Sequence, residues 1–351
     1  MEYNFYDIVF RFNDQPNKLA IETDYSRITY EELFNKVEDY SKKIEQVGLL
    51  PGSNVIVHMR RGPEYIITIL SLSKLGITFV PIDITYPKER IDFIKNDCQA
   101  NGIITDYKYE DLTVVDYLRI DDNINLTFNI LGKRDNDSND SNEKIAYIIY
   151  TSGSTGKPKG VQISNKGFSY LKELFDEHLK LGKDDKILQF ASISFDASIW
   201  EISMALTNGL TLALFLDSDK DVNKFENFVK NHSVTIATLP PSYSELLSEE
   251  VISNFNLLIT AGSEPHKKLL KKINLEETRY INAYGPTECT VCACLWEAKD
   301  LKELDSKQIP IGNISQDNLL IDDSGELCVS GEGLSVGYLN QDILNKKNFF
   351  I

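Results

Sequence analysis

The sequence predicts an α/β protein in which helices cover largely parallel β-sheets, as two α/β subdomains followed by a small β unit. Short apolar runs recur along the chain, and segments with helical spacing of apolar residues separate them. Uninterrupted apolar runs are typical of strands buried on both faces, as in parallel sheets. The runs are Val55–Met59, Thr78–Ile82, Ile145–Tyr150, Leu210–Leu216, Val234–Leu239 and Leu257–Ala261.

Two of the predicted helices carry clear start signals. Thr29 followed by Glu32 matches a capping box, and the apolar spacing that begins there continues until Gly48. Pro63 suits the first turn of a second helix, Ile66–Leu75, because the first turn has no partner for the amide hydrogen that proline lacks. Both helices adjoin a predicted strand, which supports the βα alternation.

Composition limits the classes of function. The chain has 351 residues, more than a single core of about 250–300 residues usually holds. Its net charge of −16, from 37 Lys+Arg against 53 Asp+Glu, argues against a nucleic-acid partner, which needs a basic face. Met1–Phe12 does not resemble a signal peptide, and no apolar run approaches the roughly 18 residues of a membrane helix. Five cysteines are too few for a disulfide framework, so we expect a cytoplasmic protein.

Two segments mark changes in organisation. Gly132–Lys144 is rich in Asp, Asn and Ser, which predicts either a solvated loop or a boundary between subdomains. After about Asp305 the apolar runs become short and are separated by turn residues, which predicts the small β unit. Its strands are expected at Ile309–Ile311, Leu319–Ile321 and Glu326–Val329.

A glycine-rich loop follows the predicted strand Ile145–Tyr150. Its sequence, TSGSTGKPKG, combines glycines that let main-chain N–H groups approach an anion with hydroxyls and two lysines. It is not a P-loop, because Gly-Lys-Ser/Thr does not occur at that spacing and Pro158 removes an amide hydrogen. The alternative is a flexible surface turn. The predicted phosphate-binding residues are Thr151, Ser152, Gly153, Ser154, Thr155, Gly156, Lys157 and Lys159.

The loop TSGSTGKPKG resembles the signature of the adenylate-forming enzymes, and further segments match that superfamily in order. The chain resembles the large N-terminal subdomain of an amino-acid adenylation domain from a nonribosomal peptide synthetase. The resemblance implies an α/β part over about residues 1–304 and the start of a β-barrel part over about 305–351. The other matching segments are Thr29–Leu33, Leu75–Ile91, Phe195–Ile202, Asn282–Glu288 and Gly325–Tyr338.

The segment Asn282–Glu288 (NAYGPTE) places an aromatic ring, a hydroxyl and a carboxylate around a Gly-Pro turn. The resemblance implies that Tyr284 stacks on adenine, Asn282 bonds the exocyclic amine of adenine, and Thr287 contacts the α-phosphate. It also implies that Glu288 helps to hold Mg²⁺, with a solvated turn carboxylate as the alternative. The other residues implied at the nucleotide are Gly262, Ala283 and Gly285.

The implied reaction is the attack of a substrate carboxylate on the α-phosphorus of ATP, with pyrophosphate leaving. Such transfers are catalysed mainly by positioning and by stabilisation of charge. The expected cofactors are ATP or AMP and Mg²⁺. The residues expected to act in catalysis are Thr151, Lys159, Thr287 and Glu288.

Asp196 opens an apolar stretch that contains Trp200, and a carboxylate there is costly to bury without a cation. In the family this position pairs with the α-ammonium of an amino acid; a helix cap is the alternative. The pocket positions that the family implies resemble those of phenylalanine-activating domains. Their chemistry agrees, since the alanines leave room for a ring and the sole charged group is Asp196. The pocket positions are Asp196, Ala197, Trp200, Thr238, Ile259, Ala261, Ala283, Val291 and Cys292.

Family members continue past the position of Ile351 with a ribose-binding aspartate and a mobile subdomain that carries a catalytic lysine. The resemblance therefore implies that these residues bind amino acid and nucleotide but turn over slowly alone. It also implies a carrier (thiolation) domain as the partner of the complete enzyme. The alternatives are a binding module without turnover and a D-alanine–carrier-protein ligase; Trp200 and the aromatic-sized pocket argue against the ligase.

Overall fold

The computed structural model describes residues 3–11, 15–106, 116–119, 125–130, 144–152, 157–300, 308–312 and 319–349, with the main chain alone for 116–119 and 125–130. Two eight-stranded sheets form its framework, and a two-stranded hairpin accompanies them. Among the described residues, none of the helices combines the length and the apolar character needed to span a bilayer.

The first sheet has parallel inner strands and antiparallel edges. In spatial order its strands are β18 (Gly337–Tyr338), β9 (Lys159–Ser164), β8 (Ile145–Thr151), β4 (Thr78–Ile82), β3 (Asn54–His58), β5 (Gly102–Thr105), β7 (Asn125–Ile130) and β6 (Asp116–Arg119). The strands β8, β4, β3 and β5 run in the same direction. Strand β9 returns antiparallel to β8, so the two form a hairpin.

The second sheet is parallel from β14 to β1 and antiparallel at both edges. In spatial order its strands are β15 (Cys294–Glu297), β14 (Arg279–Tyr284), β13 (Leu257–Thr260), β12 (Ile236–Leu239), β10 (Lys186–Gln189), β11 (Thr211–Leu214), β1 (Leu19–Glu22) and β2 (Arg27–Thr29). The separate hairpin consists of β16 (Leu319–Ile321) and β17 (Leu327–Val329).

The helices lie between the two sheets and on their outer faces. They are α1 (Phe5–Arg11), α2 (Tyr30–Val47), α3 (Pro63–Lys74), α4 (Lys88–Asp97), α5 (Lys166–Leu174), α6 (Asp196–Leu206), α7 (Val222–His232), α8 (Pro241–Ser244), α9 (Glu249–Ile252), α10 (Lys267–Leu270) and α11 (Asp342–Asn348). Apolar residues of α1, α2, α3, α5 and α6 join strands of both sheets in one core. A second cluster packs α7, α9 and α10 on the second sheet, and a third packs α4 on the first. The predicted α/β class with helix-covered, largely parallel sheets is confirmed.

The predicted helix starts are also confirmed. Thr29 caps α2 with a complete capping box, in which its hydroxyl accepts the N–H of Glu32 and its own N–H binds the Glu32 carboxylate. Gly48 ends the helix in the left-handed conformation, with φ of 87°. Pro63 is the first residue of α3.

The structure corrects the prediction near the C-terminal end. Ile309–Ile311 was expected to be a strand, but residues 308–312 form none. Pro310 cannot donate a main-chain hydrogen bond to a ladder, and its carbonyl accepts the side-chain amide of Asn282 instead. Leu319–Ile321 is a strand as predicted. Residues 132–143 of the polar segment and residues 301–307, where the two predicted parts meet, lie outside the described residues.

Candidate active site

The carboxyl ends of three neighbouring parallel strands meet at one edge of the second sheet. Thr238 on β12 pairs with Ile259 on β13, and Asn282 lies on β14, the next strand. Ala261 and Gly262 follow β13 directly. Gly262 has φ of 89°, and no atom lies within 4 Å of the position that a Cβ would take. Open α/β sheets bind ligands at such an edge.

A tight turn projects from the end of β14. Tyr284 ends the strand, and the residue is 41% exposed. Gly285 has no room for a side chain, because a Cβ would lie 2.3 Å from the carbonyl oxygen of Val291. Thr290 and Val291 have φ of 46° and 74°, a left-handed conformation that β-branched residues rarely adopt. Backbone strain of this kind concentrates at functional sites, where the surrounding structure enforces it.

Asp196 begins helix α6 but does not cap it, since Phe195 occupies the cap position. Asp196 as a residue is half-buried. Burial raises its pKa from 3.8 to about 6, although hydrogen bonds from the Thr287 hydroxyl and the Ala197 main chain act in the opposite direction. The negative charge of Glu288 adds to the rise. The carboxylate therefore lies next to the turn after β14, in a setting that would favour a cationic partner.

The apolar side of the site is built around Trp200. Its indole is 2% exposed, donates from Nε1 to Thr238 Oγ1 at 3.0 Å, and packs edge-on against Phe175 with ring centroids 4.9 Å apart. Cys292 is buried, and its carbonyl accepts the hydroxyl of Tyr170 at 2.8 Å. The apolar core brings together six of the predicted pocket positions, namely Trp200, Ile259, Ala261, Ala283, Val291 and Cys292.

The glycine-rich segment follows β8 and leads into β9, the two strands of the hairpin. Thr151 pairs directly with Lys159 in that ladder. Ser152 and Lys157 are exposed on either side of the loop, while Gly153–Gly156 lie outside the described residues.

Sequence reasoning assigned no role to three residues that contact the site. Tyr338 donates to Glu288 Oε1 at 2.5 Å and carries the Lys159 ammonium 4.5 Å from its ring centroid. Tyr170 supports Cys292, and Glu201 holds the segment that leads to Asp196. Glu201 and Tyr338 both lie within the matching segments, but a tertiary contact leaves no spacing signal in the sequence.

The structure also tests whether Mg²⁺ suits these residues. In the part of the chain that the structure describes, no group of three or more His, Cys, Asp or Glu side chains could hold a metal ion. A nucleotide-bound Mg²⁺ needs fewer protein ligands, because waters and phosphate oxygens fill most of its coordination positions and the protein supplies one or two carboxylates. Half-buried Glu288, with one oxygen held by Tyr338, fits that requirement.

The fold is that of the N-terminal subdomain of an adenylation domain. The NpsA N-terminal subdomain of Klebsiella oxytoca, solved in complex with 3-hydroxybenzoyl-AMSN, has a TM-score of 0.81 at 24% identity, over 99% of this chain and 90% of that one. NpsA-ThdA, an artificially fused adenylation–PCP di-domain from Klebsiella oxytoca, has a TM-score of 0.83 at 24% identity, over 98% of this chain and 72% of that one.

The family follows from the sequence match. The model of the AMP-binding enzyme family matches residues 10–339, so the chain belongs to the AMP-binding enzyme family. Gramicidin S synthase 1 of Brevibacillus brevis is 38% identical over 351 aligned residues, which cover 95% of this chain and 32% of the relative. The chain thus spans about a third of the length of that relative.

Proposed function

We propose that this chain is the ligand-binding part of a nonribosomal peptide synthetase adenylation domain, which activates L-phenylalanine as its adenylate with release of pyrophosphate. The observation that carries the proposal is a half-buried carboxylate, Asp196, beside an apolar cluster built on Trp200. Such a pair suits a ligand that joins a cation to a large apolar group, as an aromatic amino acid does. The likeness to gramicidin S synthase 1 supports the same class of reaction.

On the amino-acid side, Asp196 would pair with the α-ammonium, and the apolar cluster would receive the aromatic ring. The Trp200 N–H is already bonded to Thr238, so it would not be a donor for a substrate hydroxyl. This favours phenylalanine over tyrosine. The preference should be limited, because an apolar pocket rejects an added hydroxyl by only about 10²-fold.

On the nucleotide side, the exposed ring of Tyr284 would stack on adenine. Asn282 donates its amide nitrogen to Pro310 at 2.8 Å, which orients its oxygen Oδ1 as the acceptor for the exocyclic amine. Thr287 would contact the α-phosphate, and Lys159 would supply positive charge. Mg²⁺ bound by the phosphates and Glu288 would neutralise further charge at the leaving pyrophosphate.

The partner of the complete enzyme would be a carrier domain, which the printed description of NpsA-ThdA supports for that protein. We also propose a cytoplasmic location. All five cysteines are free thiols, as a reducing compartment maintains them.

The test of the proposal is calorimetric titration of the chain with phenylalanine, tyrosine, leucine and alanine, each in the presence and absence of MgATP. We expect phenylalanine to bind most tightly and tyrosine up to about 10²-fold more weakly. Phenylalanine and MgATP together should yield phenylalanyl-AMP, detected by mass spectrometry. Tighter binding of alanine would contradict the phenylalanine assignment. Absence of binding by any amino acid would contradict the function itself.

A further inference from the structure

The segment from Ser335 to Leu339 connects the two halves of the candidate site. On one side, Leu339 donates its N–H to the carbonyl of Gly160 at 2.8 Å, within the hairpin that carries the glycine-rich loop. On the other side, Ser335 donates to the carbonyl of Glu288 at 2.7 Å. Tyr338 therefore stands between Lys159, at the start of β9, and Glu288, the carboxylate that would hold Mg²⁺.

Both the main chain and the ring of Tyr338 are held in place. Asn345 binds the Tyr338 main chain twice, accepting its N–H and donating to its carbonyl, each at 2.8 Å. The ring is buried and packs edge-on against Phe349, with centroids 5.6 Å apart. The Lys159 ammonium lies over the ring at 4.5 Å from its centroid, and the hydroxyl donates to Glu288 at 2.5 Å.

This arrangement separates two opposite charges. Lys159 at the start of β9 and Glu288 in the turn after β14 carry opposite charges, and a direct ion pair between them would occupy both groups. Here the aromatic ring takes the ammonium on its face through a cation–π contact, while the hydroxyl takes the carboxylate at its edge. Lys159 and Glu288 are thereby kept apart, and each can reach a different group of the same ligand.

We propose that Tyr338 is a positioning residue for the Mg²⁺-nucleotide. It fixes the carboxylate orientation of Glu288 through its hydroxyl and the ammonium of Lys159 through its ring. The inference rests on the proposed function. It extends that function by assigning the Lys159 contact to the ring of Tyr338 and the Glu288 contact to its hydroxyl. Removing the hydroxyl should weaken only the part of nucleotide binding that depends on Mg²⁺. Removing the ring should weaken nucleotide binding both with and without Mg²⁺.

The experiment compares ATP binding by the wild-type chain and by Tyr338→Phe, measured by calorimetry with excess Mg²⁺ and with EDTA. We expect Tyr338→Phe to weaken MgATP binding by roughly tenfold, as the loss of a hydrogen bond to a charged group predicts, and to leave Mg²⁺-free ATP and phenylalanine binding unchanged. Tyr338→Leu should weaken ATP binding under both conditions. Tyr280→Phe is the matched control, since it also removes a buried tyrosine hydroxyl, one bonded to Thr260 at 2.7 Å.

The outcomes separate this inference from the proposed function. If the wild type binds MgATP and Tyr338→Phe binds it equally well, or loses affinity equally with EDTA, the inference is overturned alone. If the wild type binds no MgATP, the proposed function fails and the inference falls with it. Urea unfolding of Tyr338→Phe, Glu288→Gln and the double variant adds a test without nucleotide. Shifts in midpoint that are not additive support the contact, and additive shifts overturn it.

Discussion

Helix α6 carries two carboxylates little more than one turn apart, Asp196 and Glu201, and their surroundings differ in one decisive respect. Burial raises the pKa of both, to about 6 for Asp196 and about 8 for Glu201. Glu201 is fully buried and accepts the main-chain N–H groups of Phe190 and Ala191, together with the Gln189 amide. Asp196 is half-buried, and its side-chain partner Thr287 belongs to the turn that would meet the nucleotide.

The comparison teaches that a raised pKa does not by itself mark a binding group. The hydrogen bonds of Glu201 are completed by the segment Gln189–Ala191, so its role is to hold the chain that leads into α6. Asp196 has polar partners that a ligand could replace. We therefore expect a change of Asp196 to weaken ligand binding and a change of Glu201 to lower the stability of the fold.

The largest expected effect is that of Asp196→Ala on amino-acid binding. An ammonium left without its counter-charge should lose about 2–5 kcal/mol of binding free energy, while nucleotide binding stays nearly intact. Calorimetry with phenylalanine and with MgATP measures both. Asp176→Ala is a suitable control, because Asp176 is an exposed carboxylate paired with Lys172 on the surface. Equal loss of both ligands would show that Asp196 is structural.

The next effect concerns Glu201 and the stability of the fold. Glu201→Ala would remove the acceptor of the main-chain N–H groups of Phe190, which is buried, and Ala191, which is partly buried, so we expect a loss of about 1–3 kcal/mol in the free energy of unfolding. Glu201→Gln keeps an acceptor oxygen and should recover most of that loss. Urea denaturation near pH 6 measures both variants. Amino-acid affinity, measured on folded protein, should change little in Glu201→Gln; a loss as large as that of Asp196→Ala would place Glu201 in the binding site.

The pH dependence of stability sharpens the same contrast. The unfolded chain releases the Glu201 proton near pH 4.5, whereas the folded protein holds it until about pH 8. The contribution of Glu201 to the free energy of unfolding is therefore fully present below pH 4.5. It is lost as the pH rises through 8, by up to about 1.4 kcal/mol per pH unit. Urea midpoints from pH 5 to 9 should fall more steeply in the wild type than in Glu201→Gln. Parallel curves would show that Glu201 is ionised in the core.

The smallest effect is the pH dependence of amino-acid binding. Pairing with an ammonium needs the ionised carboxylate, and the pKa of Asp196 is about 6. Phenylalanine affinity should therefore fall about tenfold between pH 7 and pH 5, while the affinity of Asp196→Asn, weak throughout, should stay level. Calorimetry at the two pH values decides this. A pH profile that Asp196→Asn shares with the wild type would assign the titration to another group.

Much of the fold could be read from local sequence. Three elements occur as predicted, because short-range packing and capping specify them. They are the strand Thr78–Ile82, the capping box at Thr29 and the helix that begins at Pro63. The strand expected at Ile309–Ile311 is absent, because Pro310 cannot donate a main-chain hydrogen bond to a ladder and its carbonyl accepts the side-chain amide of Asn282. The sequence could have supplied the first of these reasons, but the second needed the neighbouring strand.

The sequence by itself determined the α/β class, the family motifs and the types of chemical group near the site. The tertiary structure alone decided which of those groups touch. Tyr338 and Glu288 are 50 positions apart, and Trp200 and Thr238 are 38 apart, yet each pair shares a hydrogen bond. Residue spacing specifies contacts within a helix, a strand or a turn. Contacts between elements depend on how the two sheets and the helices between them pack, and no local pattern records that.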